Sequence, residues 1–585
     1  MGRSRVLQAL TAACVLVAVL PAGAAASATQ ESILQDDNQL LYSSPSHVAE
    51  VLGEMASLGV ERVRVSVIWA LVAPDPDSRT PPQFDAANPA AYPPGAWTRY
   101  DDIVEDAQAL GIGVDFNITS PDPDWAATAP SPSIKFKDYS PSPAEFGQFV
   151  QAVGTRYSGS YLTPTSSPVD PQPPPTLAGV PLPPPLFGTS TTTGPIPPEP
   201  LPRVDYWEIW NEPNQGGWLA PQWRRAPSDD AAAKSSQGWV EESPVIYRRL
   251  LAAAWNALSD TGHGGDTILI GETAPRGADV PGVANGMVPL RFLRGLYCVD
   301  SSYQQLRGAA VSALGCPATA AASQRFRAAN PALFDATGFA DHAYPLGQVA
   351  PPNVPAPSSE PDWAGLADIA KLEGTLDRLN EVYGSHTQLP IYNTEFGFQT
   401  DPPQSECGCV FLSPATAARY LNWSEFIEFG NPRLRSYAQY LLYDAPGPPG
   451  HVISESDFSS GLMTVNGIAK PGYSAFRLPI YLPVTSTRPG RSLEVWGDVR
   501  PAAFAKHDTG SSQRAAIQFK PSSGGAFTTL ASVTITNPAG YFEVPVKFPS
   551  SGSVRLEWTY PHGFAFLPPM TPRTVTSREQ AITIS

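Results

Sequence analysis

The spacing of hydrophobic and polar residues switches between two periods along most of the chain. The stretch Arg62–Trp69 alternates Val63, Val65 and Val67 with polar residues, and a period of two is typical of a β-strand. The stretch Ser46–Leu58 repeats apolar residues every three or four positions, which indicates a helix. Patterns of these two kinds follow one another in turn up to about residue 485. Repeated strand and helix units predict a parallel sheet surrounded by helices.

The pattern predicts eight strands of one sheet with helices between them, which is the plan of a (β/α)8 TIM barrel. The strands are expected at Asn38–Ser43, Arg62–Trp69, Gly113–Thr119, Val204–Trp210, Thr267–Gly271, Ala336–Ala340, Leu389–Thr394 and Leu434–Leu442. The best-defined helices are expected at Ser46–Leu58, Trp97–Leu110, Pro143–Tyr157, Pro244–Leu258, Asp362–Tyr383 and Thr416–Phe429.

The C-terminal part of the chain has a different pattern, in which helical periods are absent. Short alternating runs, separated by Gly, Ser, Pro and Asn, lie at Arg514–Phe519, Phe527–Ile535, Tyr541–Val546 and Val554–Trp558. Such runs predict a small β-sandwich. Because 585 residues are enough for a barrel with insertions and one small domain, we expect the barrel at 29–485 and the sandwich at 486–585.

Two segments have a composition unlike that of the two domains. Arg3 and Arg5 precede an apolar run that ends near Ala28, so residues 1–28 are interpreted as a signal peptide. Residues 163–202 are rich in Pro, Ser, Thr and Gly, show no period, and are expected to form an extended insertion before the fourth strand. No later stretch is apolar enough to span a membrane. We therefore expect a secreted, extracellular protein with no membrane span in the mature chain.

Charge and cysteine content restrict the partners and the compartment. The formal net charge of −16 makes nucleic acid and anionic membrane surfaces unfavourable partners. Of the five Cys, four follow the predicted leader, and four Cys allow three pairings. The first guess among them is the local pairing of Cys298 with Cys316 and of Cys407 with Cys409. Nothing in the sequence indicates the oligomeric state.

Carboxylates close three of the predicted strands. Glu212 follows the fourth strand in Trp-Asn-Glu-Pro, and Glu395 follows the seventh in Thr-Glu-Phe-Gly. Side chains at the carboxyl ends of barrel strands meet at one face of the barrel, where the loops shape a pocket around them. Two carboxylates in such a pocket can divide the roles of acid and nucleophile. Glu272, after the fifth strand, is a rival that lacks the Asn and Pro context, and substrate contact is an adequate role for it.

Both motifs together resemble clan A of the glycoside hydrolases, which are (β/α)8 barrels, and most of all its family 39-like and cellulase-like secreted bacterial members. The resemblance implies that Glu212 is the acid/base, that Glu395 is the nucleophile, and that Asn211 contacts the 2-hydroxyl of the sugar. It implies a retaining mechanism by double displacement that needs no metal or organic cofactor.

The same resemblance implies further substrate-binding residues. Arg64 on the second strand matches an Arg beside the nucleophile, although a solvent-facing Arg also fits its alternating pattern. His342 and Tyr344 match a His and a Tyr that line the cleft after the sixth strand, and a structural His is the alternative. Tyr443 stands where many relatives have a Trp, so the sequence departs from the clan at the eighth strand.

Two tryptophans near strand ends are candidates for contact with the flat, apolar face of a sugar ring. Trp125 follows the third strand and Trp218 follows the fourth. For Trp125, packing in the core is an equally good explanation.

The expected function is hydrolysis of O-glycosidic bonds in an oligo- or polysaccharide by a secreted retaining glycosidase. Transglycosylation at the same site, in which an acceptor sugar replaces water, is an alternative reaction. A non-catalytic carbohydrate-binding barrel is an alternative of a different class. The sugar, the linkage and the choice between internal and terminal cleavage are left open by the sequence.

Overall fold

A computed structural model gives the fold of the chain. It describes residues 29–128, 138–163, 176–177, 180–181, 199–225, 238–278, 280–308, 311, 314–402, 410–445, 458–501, 506, 509–561 and 573–585. The predicted signal peptide, most of the Pro-rich insertion, and the predicted pair Cys407 and Cys409 lie outside the described residues.

Eight parallel strands, the number that the pattern predicts, form one sheet, in which each strand lies between its neighbours in sequence. They are β1 (Glu31–Gln35), β2 (Arg62–Ile68), β3 (Gly113–Thr119), β4 (Tyr206–Ile209), β5 (Thr267–Thr273), β6 (Gly338–Asp341), β7 (Ile391–Asn393) and β8 (Ser436–Tyr440). The last two strands close the ring, because Ile391 N–H donates to Arg433 and Ile391 C=O accepts from Arg435 N–H, both at 2.8 Å. The predicted TIM barrel is confirmed.

Helices surround the barrel and cover its apolar outer face. They are α1 (Asp37–Leu41), α2 (Pro45–Ser57), α3 (Trp69–Val72), α4 (Thr98–Leu110), α5 (Pro143–Arg156), α6 (Ser243–Asp260), α7 (Pro289–Leu296), α8 (Ala320–Ala329), α9 (Pro331–Asp335), α10 (Ile369–Glu381), α11 (Pro414–Phe429) and α12 (Pro471–Arg477). Short 3-10 helices lie at Pro89–Ala91 and Leu366–Asp368. Short antiparallel pairs join Thr176–Leu177 to Val180–Pro181 and Trp223–Arg225 to Trp239–Glu241.

The prediction for the first strand was wrong. The strand is Glu31–Gln35, and most of the stretch predicted as a strand, Asn38–Ser43, belongs to helix α1. Asp36 explains the difference, because its side chain caps that helix by accepting a hydrogen bond from Gln39 N–H at 3.2 Å. The feature of the sequence that indicates this helix is therefore an acidic N-cap residue, Asp36, followed by the buried Leu40 and Leu41.

The inside of the barrel is polar, because alternate strand residues point away from the helices. Arg64 on β2 pairs in register with Gln35 on β1 and Asp115 on β3, so these three side chains lie in one interior layer. All three are buried. A charged interior layer of this kind needs partners within the barrel, and their arrangement defines the site described below.

Two packed sheets follow the barrel, as predicted. One sheet contains β9 (Ile480–Tyr481), β11 (Ser492–Asp498) and β14 (Tyr541–Lys547). The other contains β10 (Ser486–Thr487), β12 (Arg514–Pro521), β13 (Thr528–Thr534), β15 (Gly552–Thr559), β16 (Thr574–Thr576) and β17 (Gln580–Ile584). The first of these strands begins before residue 486, where the sequence pattern suggested that the sandwich starts.

The sandwich packs on α11 of the barrel. Phe429 at the end of that helix forms an aromatic cluster with Trp496 and Tyr541 of the first sheet. Tyr541 also donates its hydroxyl proton to Glu425 at 2.9 Å. Apolar and polar contacts therefore both join the domains.

A disulfide lies outside the barrel wall, between Cys298 and Cys316, with the two sulfur atoms 2.04 Å apart. It closes a loop between α7 and α8. None of the helices in the described ranges is long and apolar enough to cross a membrane.

Candidate active site

The chain turns sharply after β4 and brings Glu212 to the mouth of the barrel. Trp210 and Glu212 both have left-handed backbone conformations, with φ values of 72° and 37°. Such conformations are uncommon for residues other than Gly and are found in tight turns and at functional sites. The turn is held by Asn211 N–H, which donates to the Thr119 hydroxyl at 2.9 Å, and by the Trp210 indole N–H, which donates to Trp218 C=O at 2.9 Å.

Glu395 follows β7 and is held from two sides. The hydroxyl of Tyr344 donates to its Oε1 at 2.8 Å, and Nη1 of Arg64 lies 3.3 Å from its Oε2. The side chain is only 10% exposed. Two donors that approach the carboxyl group from different directions fix its orientation and favour its ionised form.

His342, after β6, lies between the two glutamates. Its Nδ1 is 3.0 Å from Oε1 of Glu212 and 3.6 Å from Oε2 of Glu395. These two oxygens therefore cannot be farther apart than the sum of 3.0 and 3.6 Å. The structure thus brings the two strand-end carboxylates together at one point, as their positions in the sequence predict.

A cavity of about 510 Å³ opens above this point at the C-terminal face of the barrel. Its lining among the described residues combines aromatic rings, side-chain amides and two charged groups. These lining residues are Glu212, Gln215, Gly217, Trp218, Ala274, Pro275, Arg276, Tyr344, Pro345, Gly347, Gln348, Gly397, Phe398, Gln399, Phe458 and Ser460. A cavity of this size, with apolar surfaces and a few polar groups, suits a small part of a saccharide chain.

Arg64 forms the floor of the site and connects the polar groups beneath the cavity. The guanidinium is fully buried, with Nε 2.7 Å from Glu208 and Nη2 2.7 Å from Glu272. Nη1 also donates to Gln35 and contacts Glu395. Although burial lowers the pKa of Arg64, these carboxylates raise it well above its usual value. The arginine is therefore a fixed positive charge beneath the cavity.

Glu272 reaches this floor because β5 is irregular. Gly271 pairs with Ala340 and Thr273 pairs with Asp341, so Glu272 has no partner on β6 and forms a bulge. Its φ is 47°, and its carboxyl group lies fully buried beside Arg64 and Asn117. Glu272 is not among the described residues that line the cavity, so the structure places it under the site rather than against a substrate.

Asn211 is oriented by the same network. Its Oδ1 accepts from Nη2 of Arg64 at 3.0 Å and from Nδ2 of Asn117 at 3.1 Å. Because both hydrogen bonds use the oxygen, the amide cannot flip without losing them, and its Nδ2 remains as a donor. This orientation agrees with the predicted hydrogen bond to a sugar hydroxyl.

The pKa values of several carboxyl groups in and around the floor are raised above their ordinary values. Burial, and then the nearby Glu208, raises the pKa of both Asp115 and Glu272 well above the usual value. Burial also raises the pKa of Glu395, against the opposing effects of His342 and Arg64. Burial lowers the pKa of His342, but Glu395 and Glu212 outweigh it and raise that pKa. Burial and the neighbouring charges thus shift the titration of these groups to higher pH.

Two predicted sugar-binding residues lie elsewhere. Trp125 packs edge-on against Trp69 and Phe84, with ring centroids 5.9 and 6.0 Å apart, and its indole N–H donates to Pro74 C=O at 3.0 Å. Its apolar surface is used in the core, which is the alternative that the sequence left open. Tyr443 is half-buried, and its N–H donates to Asp36 at 2.9 Å. Neither residue is among the described residues that line the cavity, whereas Trp218 is.

Some lining residues were missed by the sequence analysis. Phe458 supplies an aromatic ring near β8, 6.0 Å from that of Tyr344, and Phe398 supplies another after β7. Gln215, Arg276 and others lie on loops without periodicity, where the sequence gives no indication of which side chains face the cavity. The only available signal for Phe398 was its closeness to the Thr-Glu-Phe-Gly motif. In the described ranges, no three His, Cys, Asp or Glu side chains are grouped so that they could hold a metal ion.

Comparison with protein-family models gives no match, and comparison with curated proteins gives none. The fold is similar to those of solved glycosidase structures at low identity. Bacteroides uniformis β-glucuronidase 2 is 9% identical with a TM-score of 0.36, over 95% of this chain and 46% of that chain. The endo-β-1,4-mannanase of Thermotoga petrophila is 11% identical with a TM-score of 0.34, over 95% of this chain and 98% of that chain.

A glucosidase from Croceicoccus marinus is 12% identical with a TM-score of 0.37, over 92% of this chain and 76% of that chain. This chain aligns with 46% of the glucuronidase chain and thus spans about half of its length.

Proposed function

We propose that the protein is a retaining glycoside hydrolase that cleaves O-glycosidic bonds in an oligo- or polysaccharide, as the resemblance of its motifs to clan A implies. The observation that carries the proposal is the meeting of Glu212 and Glu395 at one histidine nitrogen, at 3.0 and 3.6 Å. Two carboxylates that close to each other at the mouth of a barrel are the central requirement of glycoside hydrolysis.

The surroundings of the two glutamates support different roles. Glu395 accepts hydrogen bonds from Tyr344 and Arg64, and both donors stabilise the charged form that a nucleophile needs. Glu212 lines the cavity and is 18% exposed, with His342 as its hydrogen-bond partner. Glu395 attacks the anomeric carbon while Glu212 protonates the departing oxygen. Glu212 then deprotonates the water that releases the sugar from Glu395.

The two carboxylates lie close enough together for a reaction that retains configuration. Retaining glycosidases hold their carboxyl groups about 5 to 5.5 Å apart, whereas inverting ones leave about 6.5 to 9.5 Å for a water molecule. The upper limit for the two oxygens, the sum of 3.0 and 3.6 Å, lies at the lower end of the inverting range. Proton NMR of the first product would show the anomer before mutarotation. An inverted product would contradict the assignment of Glu395 as the nucleophile.

The roles are tested by replacing each carboxyl group with its amide and measuring turnover on a panel of aryl glycosides and polysaccharides. Glu395→Gln is expected to keep less than roughly a hundredth of the wild-type kcat, because an amide cannot form the glycosyl ester. Glu212→Gln is expected to lose most activity on substrates with poor leaving groups, since it removes the proton donor.

Glu272→Gln is the matched control within the same network. An amide oxygen at this position can still accept from Arg64 and Asn117, which lie 2.7 Å from the present carboxylate. We expect this variant to remain within about tenfold of wild type in kcat, the effect of one perturbed hydrogen bond. A larger loss in Glu272→Gln than in Glu395→Gln would make Glu272 the nucleophile instead.

We also propose that the protein is exported. The predicted signal peptide at 1–28 supports this, and a disulfide between Cys298 and Cys316 fits an oxidising compartment. Detection of the mature chain in the culture medium, cut after Ala28, would test the proposal.

A further inference from the structure

Arg276 lies on the wall of the cavity, and its guanidinium group has no partner within the part of the chain that the structure describes. It is the only Lys or Arg among the described residues that line the cavity. Its side chain is exposed, and the described structure contains no hydrogen bond or ion pair of its guanidinium group. Two arginines on the next helix differ, since Arg291 pairs with Glu241 at 2.6 Å and Arg294 pairs with Asp362 at 2.5 Å.

The backbone that carries Arg276 is held firmly on both sides. The side chain of Gln215 donates to Arg276 C=O at 2.6 Å. The side chain of Asn214 accepts from Ala274 N–H at 2.9 Å and donates to Met287 C=O at 3.0 Å. Because this loop is already fixed, less conformational entropy of the chain is lost when Arg276 binds a ligand.

These contacts also join the loop of Arg276 to that of Glu212. Asn214 and Gln215 lie two and three positions after Glu212 in the chain, and they hold residues 274 and 276. The cation therefore lies on the side of the proton donor, and the proton donor approaches the oxygen of the leaving sugar. Arg276 thus faces the leaving-group side of the cavity.

We propose that Arg276 binds an anionic substituent, a carboxylate or a sulfate ester, on the sugar that leaves. The inference rests on the proposed glycosidase function and adds the class of substrate. A guanidinium offers a planar fork of N–H donors that matches an oxyanion, and an unpaired one has no competing partner to release.

The negative charge of the chain makes a local cation necessary for binding an acidic saccharide. The chain has a formal net charge of −16, and Glu212 is the other charged group that lines the cavity among the described residues. An acidic saccharide would be repelled from such a site unless a local cation compensated. A neutral substrate would gain little from Arg276, whose charge would remain solvated.

The test uses three disaccharides that share one glycone and one linkage, with a leaving glucose, glucuronate or glucose 6-sulfate. The glycone is the one that the wild-type enzyme cleaves best as an aryl glycoside. Wild type is expected to prefer at least one charged substrate. Arg276→Gln should lower kcat/KM for that substrate by about 10- to 100-fold, the effect of losing a charged hydrogen bond, mainly through KM.

The same variant should change kcat/KM for the neutral disaccharide by less than about twofold, since surface substitutions without a specific contact have small effects. Arg276→Lys should recover part of the loss, and the preference should weaken with added salt. Arg249→Gln, an exposed arginine on α6, is the matched control and should change none of the three rates.

The two charged substrates distinguish a carboxylate from a sulfate as the bound group. Equal effects of Arg276→Gln on all three substrates, or a wild-type preference for the neutral disaccharide, would overturn the inference. Both results would leave the proposed glycosidase function intact, because that function depends on the loss of turnover in Glu395→Gln.

Discussion

At the scale of single residues, the site depends on one buried cation that has more acidic neighbours than it can neutralise. Arg64 contacts Glu208, Glu272 and Glu395, and all of these groups are withdrawn from water. Burying several carboxylates around one guanidinium is unfavourable unless some of them hold protons. The raised pKa of Glu272, caused by burial and then by Glu208, is that response. Of these three carboxylates, Glu395 is the one that reaches the mouth of the barrel, where its side chain is 10% exposed.

Tyr344 is expected to set the lower pH limit of activity. Its hydroxyl donates to Glu395 at 2.8 Å, and this hydrogen bond opposes the rise that burial causes in the pKa of Glu395. Without the donor, the pKa of Glu395 should rise further, so more of the enzyme is inactive at acid pH. We predict that Tyr344→Phe moves the acid limb of the kcat/KM profile to higher pH, measured on an aryl glycoside.

Tyr443→Phe is the control for this measurement. Tyr443 is half-buried, and its backbone N–H bonds to Asp36. The acid limb of this variant should coincide with that of wild type. An unchanged profile in Tyr344→Phe, or an equal shift in Tyr443→Phe, would show that the hydrogen bond to Glu395 does not control its titration.

Position in a strand pattern explains which site residues the sequence could indicate. Glu212 and Glu395 could be placed at the mouth of the barrel because they follow the ends of strands. The direction of Arg64 was left open by its alternating pattern, and its register with Gln35 and Asp115 places it inside the barrel. Trp125 could not, because the same ring surface fits a sugar or a core, and its neighbours come from distant segments. Arg276 was missed because its loop has no period, and the bonds that fix it come from side chains on another loop.

At the scale of elements, the bulge of β5 is the feature that turns Glu272 into the barrel. Gly271 has a φ of 108°, and a Cβ atom there would lie 2.3 Å from the ring of Phe339. We predict that Gly271→Ala lowers the free energy of unfolding by about 1 to 3 kcal/mol, because both the backbone conformation and the packing oppose a side chain. Chemical denaturation would measure the change.

Gly374→Ala is the control, and it is expected to raise the free energy of unfolding. Gly374 lies inside α10, and a Cβ atom there would meet no other atom within 4 Å. Because Ala favours a helix more than Gly does, this variant should gain up to about 1 kcal/mol. Equal effects of the two substitutions on stability would mean that the backbone conformation and packing at Gly271 do not disfavour a side chain there.

The elements that could be predicted were those with long, regular patterns. The predicted strand Gly113–Thr119 has the bounds that the structure gives, and Arg62–Trp69 exceeds β2 by one residue. The predicted helix Asp362–Tyr383 begins too early, since α10 starts at Ile369 after a 3-10 turn. The strand Ser492–Asp498 was missed, although it pairs along its whole length with β14. Its alternation is weak because Trp496 faces the barrel, so both of its faces are buried.

At the scale of the whole molecule, buried acidic side chains should make the folded state less stable as the pH rises. Burial raises the pKa of Asp36 and that of Asp341 to about 7. Between the unfolded value of about 4 and this value, the folded protein binds more protons than the unfolded chain. The contribution to stability is therefore present below pH 4 and is lost as the pH rises through 7.

We predict that the free energy of unfolding falls between about pH 5 and pH 8, and that Asp341→Asn reduces this fall. An amide at residue 341 can still accept from the Thr273 hydroxyl, which lies 3.1 Å from the carboxyl oxygen. Urea denaturation at several pH values would measure both slopes. A wild-type stability that rises from pH 5 to pH 8, with no change in the variant, would contradict the prediction.

Arg500 links the sandwich to the barrel at the junction of the two domains. Its side chain is buried, bonds to Glu425 on α11, and lies 3.0 Å from Asp498. Arg500→Met would leave Glu425 buried without its cation, which costs about 3 to 5 kcal/mol. Since that cost falls on the interface and not on either core, the sandwich should detach before the barrel unfolds. Calorimetry should show two transitions for this variant.

Two further variants separate this effect from a general loss of stability. Arg500→Met combined with Glu425→Gln should recover part of the loss, because Tyr541 can still donate to an amide oxygen at residue 425. The recovery is expected to be partial, since Asp498 still lacks its cation. Arg514→Met, at an exposed position of β12, should melt as wild type does. A single transition at the wild-type temperature in Arg500→Met would mean that the aromatic cluster of Phe429, Trp496 and Tyr541 alone holds the domains together.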